Sequence, residues 1–378
     1  MTIDRRTMLQ FLALGLAGCA SRSVTPEFGA VPASGKRPKG RVFFSLAKSK
    51  SASTLRVTDW DGGNAIDYDV PIVTPHSLLQ DPRTPDVVYL VEAFGSCARI
   101  DLKTGAHVKV DHAHGKELFN GHAILTRAGD KLICSQFETE SKAVIMVRDS
   151  VTLAKLAVLP DECSQAHHLV SLPGSSVFAC GNLNGETGAI TFFDYEKMKV
   201  IRRVACEKPI LHLVPISATE ALGVSRPQTF KKGGSRLLSR AKSSAENIDS
   251  FMKSTVSGIG PVFYAKSDGA KKIFWDESKK ERFRGGFGLA PLDGDKVFLS
   301  GHTEGNSVFL WRDGVIERVF DVPTPINIVV SGDASEFMVM SESEPRITVF
   351  SLRTYEKSRV IEFETSLRLF GKYQGVYA

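Results

Sequence analysis

The body of this sequence has no long apolar run and almost no long amphipathic helical stretch. The first absence argues against a helical membrane span, which needs about 20 consecutive apolar residues. The second argues against a helical bundle. Cysteine is scarce, at six in 378 residues, and no C-x-x-C occurs. The chain therefore does not read as a disulfide scaffold. It also lacks a G-x-S-x-G elbow, an H-E-x-x-H pair, a P-loop and a haem-attachment C-x-x-C-H, so no established catalytic constellation is written locally. The net charge of +6 is spread along the chain and does not mark a nucleic-acid-binding face. No nucleic-acid partner is expected.

The N-terminus is different. Arg5 and Arg6 precede an apolar stretch at 11–18, and Leu16-Ala17-Gly18 leads into Cys19. A charged start, a short apolar core and small residues at a cut are the layout of an export signal. The ending matches the bacterial lipobox, in which Cys19 is acylated and becomes the first residue of the mature chain. The Arg pair resembles a twin-arginine signal. Residues 1–19 are therefore expected to be a lipoprotein signal peptide. Ala20, in place of Asp, points to the periplasmic face of the outer membrane. Residues 20–39, rich in Ser, Pro and Gly, read as a flexible tether. Five cysteines then remain. Cys97, Cys134 and Cys180 lie in or beside apolar strand runs and should be buried. Cys163 and Cys206 stand just before new repeats, and whether they bridge is open.

Residues 40–378 are enough for a large core. Short β-rich runs dominate them, bounded by Gly, Asp, Ser and Pro. One mark recurs, a strand ending in Asp or its equivalent and then a turn. It falls at Asp59, Asp101, Asp149, Asp194, Asp268, Asp313 and Ser351. The marks are roughly 38–48 residues apart with one gap of about 74, against the ~40–50 of a four-stranded blade. The Asp carboxylate can accept backbone N–H groups two residues on and close the turn between third and fourth strands. Seven marks lead us to expect an all-β, seven-bladed, WD40- or YVTN-like β-propeller, with eight blades or two sandwiches as alternatives. The long gap is an insertion at 230–258 in the fifth blade. Leu238, Ala241, Ala245, Ile248 and Met252 have helical spacing there, and its first half is basic. It reads as a helical arm, either a solvated excursion or a lid or docking element. The C-terminal 371–378 could pair with the first blade and close the ring.

Propeller geometry then gathers two sets of residues at one rim of the central channel. Inner strands begin at His76, His122, His167 or His168, His212, Phe287 and Asn327. Second strands end at Glu92, Gln136, Asn182, Arg226, His302 and Glu342. The expected ligand-binding rim is thus rich in His. Neutral imidazoles suit copper, zinc or iron, and His122, His167, His212 and His302 are the expected metal ligands. A polar small molecule, a peptide or water-filled structural polarity are the other readings of the same rim. No catalytic residue is assigned. A monomer is expected, with a periplasmic protein partner as an open option.

Three segments carry a resemblance. Residues 119–130 (FNGHAILTRAGD), 166–174 (AHHLVSLPG) and 184–194 (NGETGAITFFD) resemble the "GHxxFSxDG", "PHELxLLPDG" and "ETGxGxIxVxD" stretches of a bacterial family. Its members are twin-arginine-exported periplasmic propellers of unestablished function, with genes commonly beside imelysin-like iron-uptake lipoproteins and di-haem oxidoreductases. His168 replaces the family's Glu, and Ser135-Gln136-Phe137 stands where the family has "TEN". The resemblance implies a role near periplasmic iron or copper handling, with His122 and His167 at family-matching positions. The expected function is ligand or partner binding or scaffolding. A metal-dependent or lactonase-like enzyme, and an interaction hub using the basic insertion, are the alternatives.

Overall fold

The computed structural model describes residues 27–28, 42–47, 53–61, 63–70, 72, 75–110, 118–139, 142–159, 166–184, 187–225, 228–230, 255–341, 344 and 346–363. After the two-residue β1 (Glu27–Phe28), one sheet holds β2 (Val42–Ala47), β3 (Ser53–Thr58) and β4 (Ala65–Val70). Next come β5 (Pro75–Gln80), β6 (Val87–Gly95), β7 (Cys97–Asp101) and β8 (Ala106–Val110). They are followed by β9 (Leu118–Leu125), β10 (Lys131–Thr139), β11 (Lys142–Asp149) and β12 (Lys155–Val158). The third group is β13 (Ala166–Ser171), β14 (Val177–Asn184), β15 (Thr187–Asp194) and β16 (Lys199–Cys206). The fourth joins β17 (Ile210–Ser217) and β18 (Glu220–Ser225), across the small ribbon β19 (Gln228–Phe230) and β20 (Thr255–Ser257), to β21 (Val262–Lys266) and β22 (Lys271–Phe274). A 3-10 helix at Glu277–Phe283 leads to β23 (Gly286–Asp293), β24 (Val297–His302), β25 (Ser307–Arg312) and β26 (Val315–Asp321). The last group is β27 (Pro325–Val330), β28 (Glu336–Ser341), β29 (Arg346–Ser351) and β30 (Lys357–Glu362).

Each group is an antiparallel meander, and in several the turn between third and fourth strands is closed as its sequence indicates. Asp101 accepts from Lys103 N at 2.8 Å, Asp149 from Thr152 N at 2.7 Å and Asp194 from Lys197 N at 3.0 Å. Ser351 does the same with its hydroxyl, accepting from Arg353 N at 3.1 Å. Outer strands such as β16, with the pattern eieeeBeB, keep one face in water. Inner and middle strands are covered on both faces, which explains their near-continuous apolar runs.

Apolar clusters alternate with the sheets. Tyr89, Val91, Phe119 and Leu132 join the first two four-stranded groups. Phe178 and Phe193 pack with Ile133 and Ile145 between the second and third. Ile190 and Phe192 meet Leu213 and Phe263 between the third and fourth. Trp311, Phe298 and Phe309 cover Tyr264 and Phe274 between the fourth and fifth. Phe337 and Phe350 meet Leu310 and Phe320 between the fifth and sixth. The remaining cluster runs from Met338 and Val349 through Leu55, Val57 and Val70 to Leu78 and Val88. The β2–β4 sheet therefore sits between the last blade and the first four-stranded blade. Burying one such side chain is worth about 1.5–3 kcal/mol, so these interfaces hold the ring together.

The blade count differs from the sequence reading. Seven four-stranded blades were expected, but the described residues form six. The first repeat contributes only the three strands β2–β4, because no described strand pairs with the free edge of β2. Residues 371–378, expected to close the ring, lie outside the described residues. Within 20–39, read as a tether, Glu27 and Phe28 form a strand that pairs with His107 and Ala106. The insertion is entered through the β19–β20 ribbon, and its expected helices at 231–254 lie outside the described residues. Cys97, Cys134, Cys180 and Cys206 are buried and form no disulfide among the described residues, while Cys19 and Cys163 are not described. No described helix is long and apolar enough to cross a membrane.

Candidate metal centre

Every inner strand starts irregularly. The ladder between first and second strands slips at Pro75/Ser77, at Cys134/Gln136 opposite β9, at Ala166/Leu169, at Ile210/His212, at Gly286/Leu289 and at Pro325/Asn327. A β-bulge adds residues to one strand and re-aims their side chains. The histidines stand on these bulges. His76, His122 and His168 stand just before the regular ladder resumes on β5, β9 and β13, His167 is one place earlier, and His212 is the first residue of the resumed ladder on β17, opposite Val224. Five imidazoles from four consecutive inner strands thereby converge.

One nitrogen from each of His76, His122, His167 and His212 lies within 4.8 Å of the others. His122 is central. Its Nε2 is 3.0 Å from His76 Nε2, and its ring centroid is 4.7 Å from His167, 5.3 Å from His212 and 4.3 Å from His168. His167 and His212 are stacked, 6.0 Å apart and 10° from parallel. His122 and His212 are buried at 2% and 7% exposure, whereas His76 and His167 are half-buried.

The backbone is tied tightly around this group. His212 Nδ1 lies 2.8 Å from the Phe287 carbonyl, and a carbonyl only accepts, so Nδ1 carries the proton. In the neutral ring the lone pair is then on Nε2, which is buried without a hydrogen-bond partner. His168 is the reverse: its Nδ1 accepts from Leu213 N at 3.1 Å, which puts its proton on Nε2. Ser135 Oγ donates to His167 O at 2.9 Å and lies 3.4 Å from His122 O. Asn120 Nδ2 donates to Ala166 O at 2.8 Å. Each inner strand from β9 to β23 is thus pinned to the next beside a His. Gly121 is required here. Its φ is +84°, and a Cβ would lie 2.3 Å from His76 Cδ2.

Burial keeps His122, His168 and His212 neutral. It pushes the pKa of His122 and His212 well below 6.5, with neighbouring imidazoles adding to the shift. Burial likewise takes His168 down to about 3. Neutral imidazole is the form that binds a metal.

The second-strand residues lie opposite the starts of the inner strands. Glu92, Gln136, Asn182 and His302 pair with Pro75, Phe119, Ala166 and Gly286, and all four are buried. Gln136 Oε1 accepts from Arg148 Nη2 at 3.1 Å, Asn182 Oδ1 from Thr191 Oγ at 3.0 Å, and Glu92 Oε2 from Ser96 N at 2.7 Å. These bonds run within the residue's own blade. His302, expected among the metal ligands, packs edge-on to Phe283 and Phe309, with Nε2 3.2 Å from Ser300 Oγ. His76 stands in the four-imidazole group where His302 was expected. Asn327 turns its Oδ1 back onto Ile328 N at 2.8 Å. Arg226 and Glu342 lie outside the described residues. The supporting residues Gly121, Ser135 and Asn120 were missed. The sequence signal for them was the Asn-Gly step interrupting an otherwise apolar strand, which marks a bulge.

No protein-family model matches the chain, and no curated protein matches it. Solved structures do. The chain is similar to a hydrazine synthase structure from Kuenenia stuttgartiensis, at 13% identity and TM-score 0.57, covering 86% of this chain and 98% of that one. It is similar to the WD40 repeats of RRP9, at 9% identity and TM-score 0.57, covering 77% of this chain and 81% of that one. It is also similar to a putative 6-phosphogluconolactonase from Bacteroides fragilis, at 12% identity and TM-score 0.56, covering 86% and 96%. The chain has a β-propeller fold. At such identities the likeness extends to the fold alone, since one propeller scaffold hosts unrelated chemistries.

Proposed function

We propose that this chain is an exported, lipid-anchored propeller that binds a transition-metal ion through His76, His122, His167 and His212. The observation that carries the reading is the unpartnered, buried Nε2 of His212, on a ring that groups with three other imidazoles and is held by the Phe287 carbonyl. A ligating His commonly donates its other N–H to a backbone carbonyl, which fixes ring and tautomer. Four nitrogens around one ion at about 2.0–2.1 Å lie about 3.3 Å apart, so modest ring rotations would close the group around it. With only nitrogen donors, the site suits copper, zinc or iron(II) and not calcium or magnesium. The family resemblance, with its iron or copper setting, points the same way.

Titration of the purified soluble domain with Cu(II), Zn(II) and Co(II) tests this reading. One ion per chain is expected, with binding lost in His122→Gln and His212→Gln variants that keep wild-type circular dichroism. Absence of stoichiometric binding by the wild-type protein would remove it. A metal-dependent enzyme is the second reading. The half-exposure of His76 and His167 favours it in one respect, since water or substrate could reach the ion from their side. The address is proposed from Arg5, Arg6 and Cys19. Incorporation of labelled palmitate in a bacterial host, lost in Cys19→Ala, is the expected result.

A further inference from the structure

The four imidazoles are not equivalent, and the difference bears on what the ion is for. His122 and His212 are buried, and His212 is fixed through Phe287 O. His76 and His167 are half-buried. Both neighbour the central His122, with ring centroids 4.6 Å and 4.7 Å away. An arriving ion therefore meets His76 and His167 before the buried pair, and an incoming ligand reaches the bound ion from their side.

Charge points the same way. No carboxylate or thiolate belongs to the four-nitrogen group. A divalent ion there keeps its whole charge, and an uncompensated charge is costly to bury. Nothing in the group opposes that cost except the nitrogen–metal bonds. Such a site holds an ion well enough to load. It yields that ion to an anionic donor, which both neutralises the charge and takes the ion into water or into a partner's site.

We propose that the bound ion is exchangeable cargo: His122 and His212 form a fixed buried platform, and His76 and His167 are the exchange ligands through which the ion enters and leaves. Release is ligand substitution. The incoming carboxylate or thiolate forms its bond to the ion as the bonds to His76 and His167 break, with no change of oxidation state. The inference rests on the metal reading above.

The test is transfer kinetics from the intact soluble domain, loaded with Zn(II) or Cu(II), to a chromophoric carboxylate chelator in stopped flow. Transfer should be complete within seconds, at a rate that rises with chelator concentration. His76→Gln and His167→Gln should each still bind one ion and release it roughly tenfold faster, since changes at a binding site act mainly on dissociation. His122→Gln and His212→Gln should not load. Slow, chelator-independent loss over hours would mark a resident cofactor and overturn the proposal. Equal loss of loading in all four variants would overturn it too, by removing the division into platform and exchange ligands. Failure of the wild-type protein to load at all would instead remove the metal reading itself.

Discussion

Gly121 and His302 show at single positions how the site is specified. Gly121 sits at φ +84° with His76 against its Cα. An L side chain in the left-handed region costs roughly 1–2 kcal/mol, and the ring of His76 would also have to move. Gly121→Ala should therefore lower the melting temperature and weaken metal binding together, measured by thermal unfolding and titration. His302 is a histidine held out of the site. Burial takes its pKa down to about 3, against about 6.5 in an unfolded chain. Between those values the unfolded chain binds a proton that the folded one does not, so stability is lost as pH falls from 6.5 toward 3. One such group changes stability by about 1.4 kcal/mol per pH unit. Replacing it in His302→Asn should flatten the acid limb of the stability–pH curve by one proton's worth, read by denaturant unfolding at pH 7, 6 and 5. An unchanged slope would show that His302 is already protonated in the fold.

Single strands and turns account for what could be read from the sequence and what could not. The turn marks were legible because Asp closes a turn with its own local backbone, and Asp194 is the best case. Burial raises its pKa, but hydrogen bonds from Lys197 and Ser176 outweigh that and bring it to about 2. Its stabilisation is therefore present above about pH 4 and lost as pH falls through 2. Asp194→Ala should cost about 1–2 kcal/mol at neutral pH, checked by urea unfolding. The inner-strand histidines were legible too, since they repeat with the blades. Three of the four that meet, His122, His167 and His212, were named as ligands, but His76 as the fourth in place of His302 was not. That depends on one- and two-residue bulges at strand starts, and a bulge leaves little trace beyond the Asn120-Gly121 step. Glu92, Gln136 and Asn182 lie opposite the starts of inner strands, as read from the sequence. Their position along the strand was right, but their hydrogen bonds run into their own blades. Counting turn marks also finds third strands only, and could not reveal that the described residues of the first repeat form three strands.

Across the whole molecule, the ring depends on how the β2–β4 sheet is gripped. Trp60 Nε1 donates to Glu336 Oε2 at 2.8 Å, and Arg359 Nη1 donates to both Glu336 oxygens at 2.9 Å. Arg359 Nη2 reaches back to Trp60 O at 3.1 Å. This partly buried network ties the first repeat to the last blade over nearly the full length of the chain. Hydrogen bonds to a charged group contribute about 1.5–3 kcal/mol, so Glu336→Ala should cost about 2 kcal/mol. Because it loosens the ring at its closure, it should also broaden the unfolding transition in calorimetry. A sharp, unshifted transition would place the closure elsewhere.

The central claim is that inner-strand histidines from consecutive blades share one ion. X-ray absorption at the metal edge of the zinc- or copper-loaded protein tests it most directly. Three or four imidazole nitrogens at about 2.0–2.1 Å, with the outer-shell scattering of His rings, is the expected result. A first shell dominated by oxygen, or containing sulfur, would contradict it.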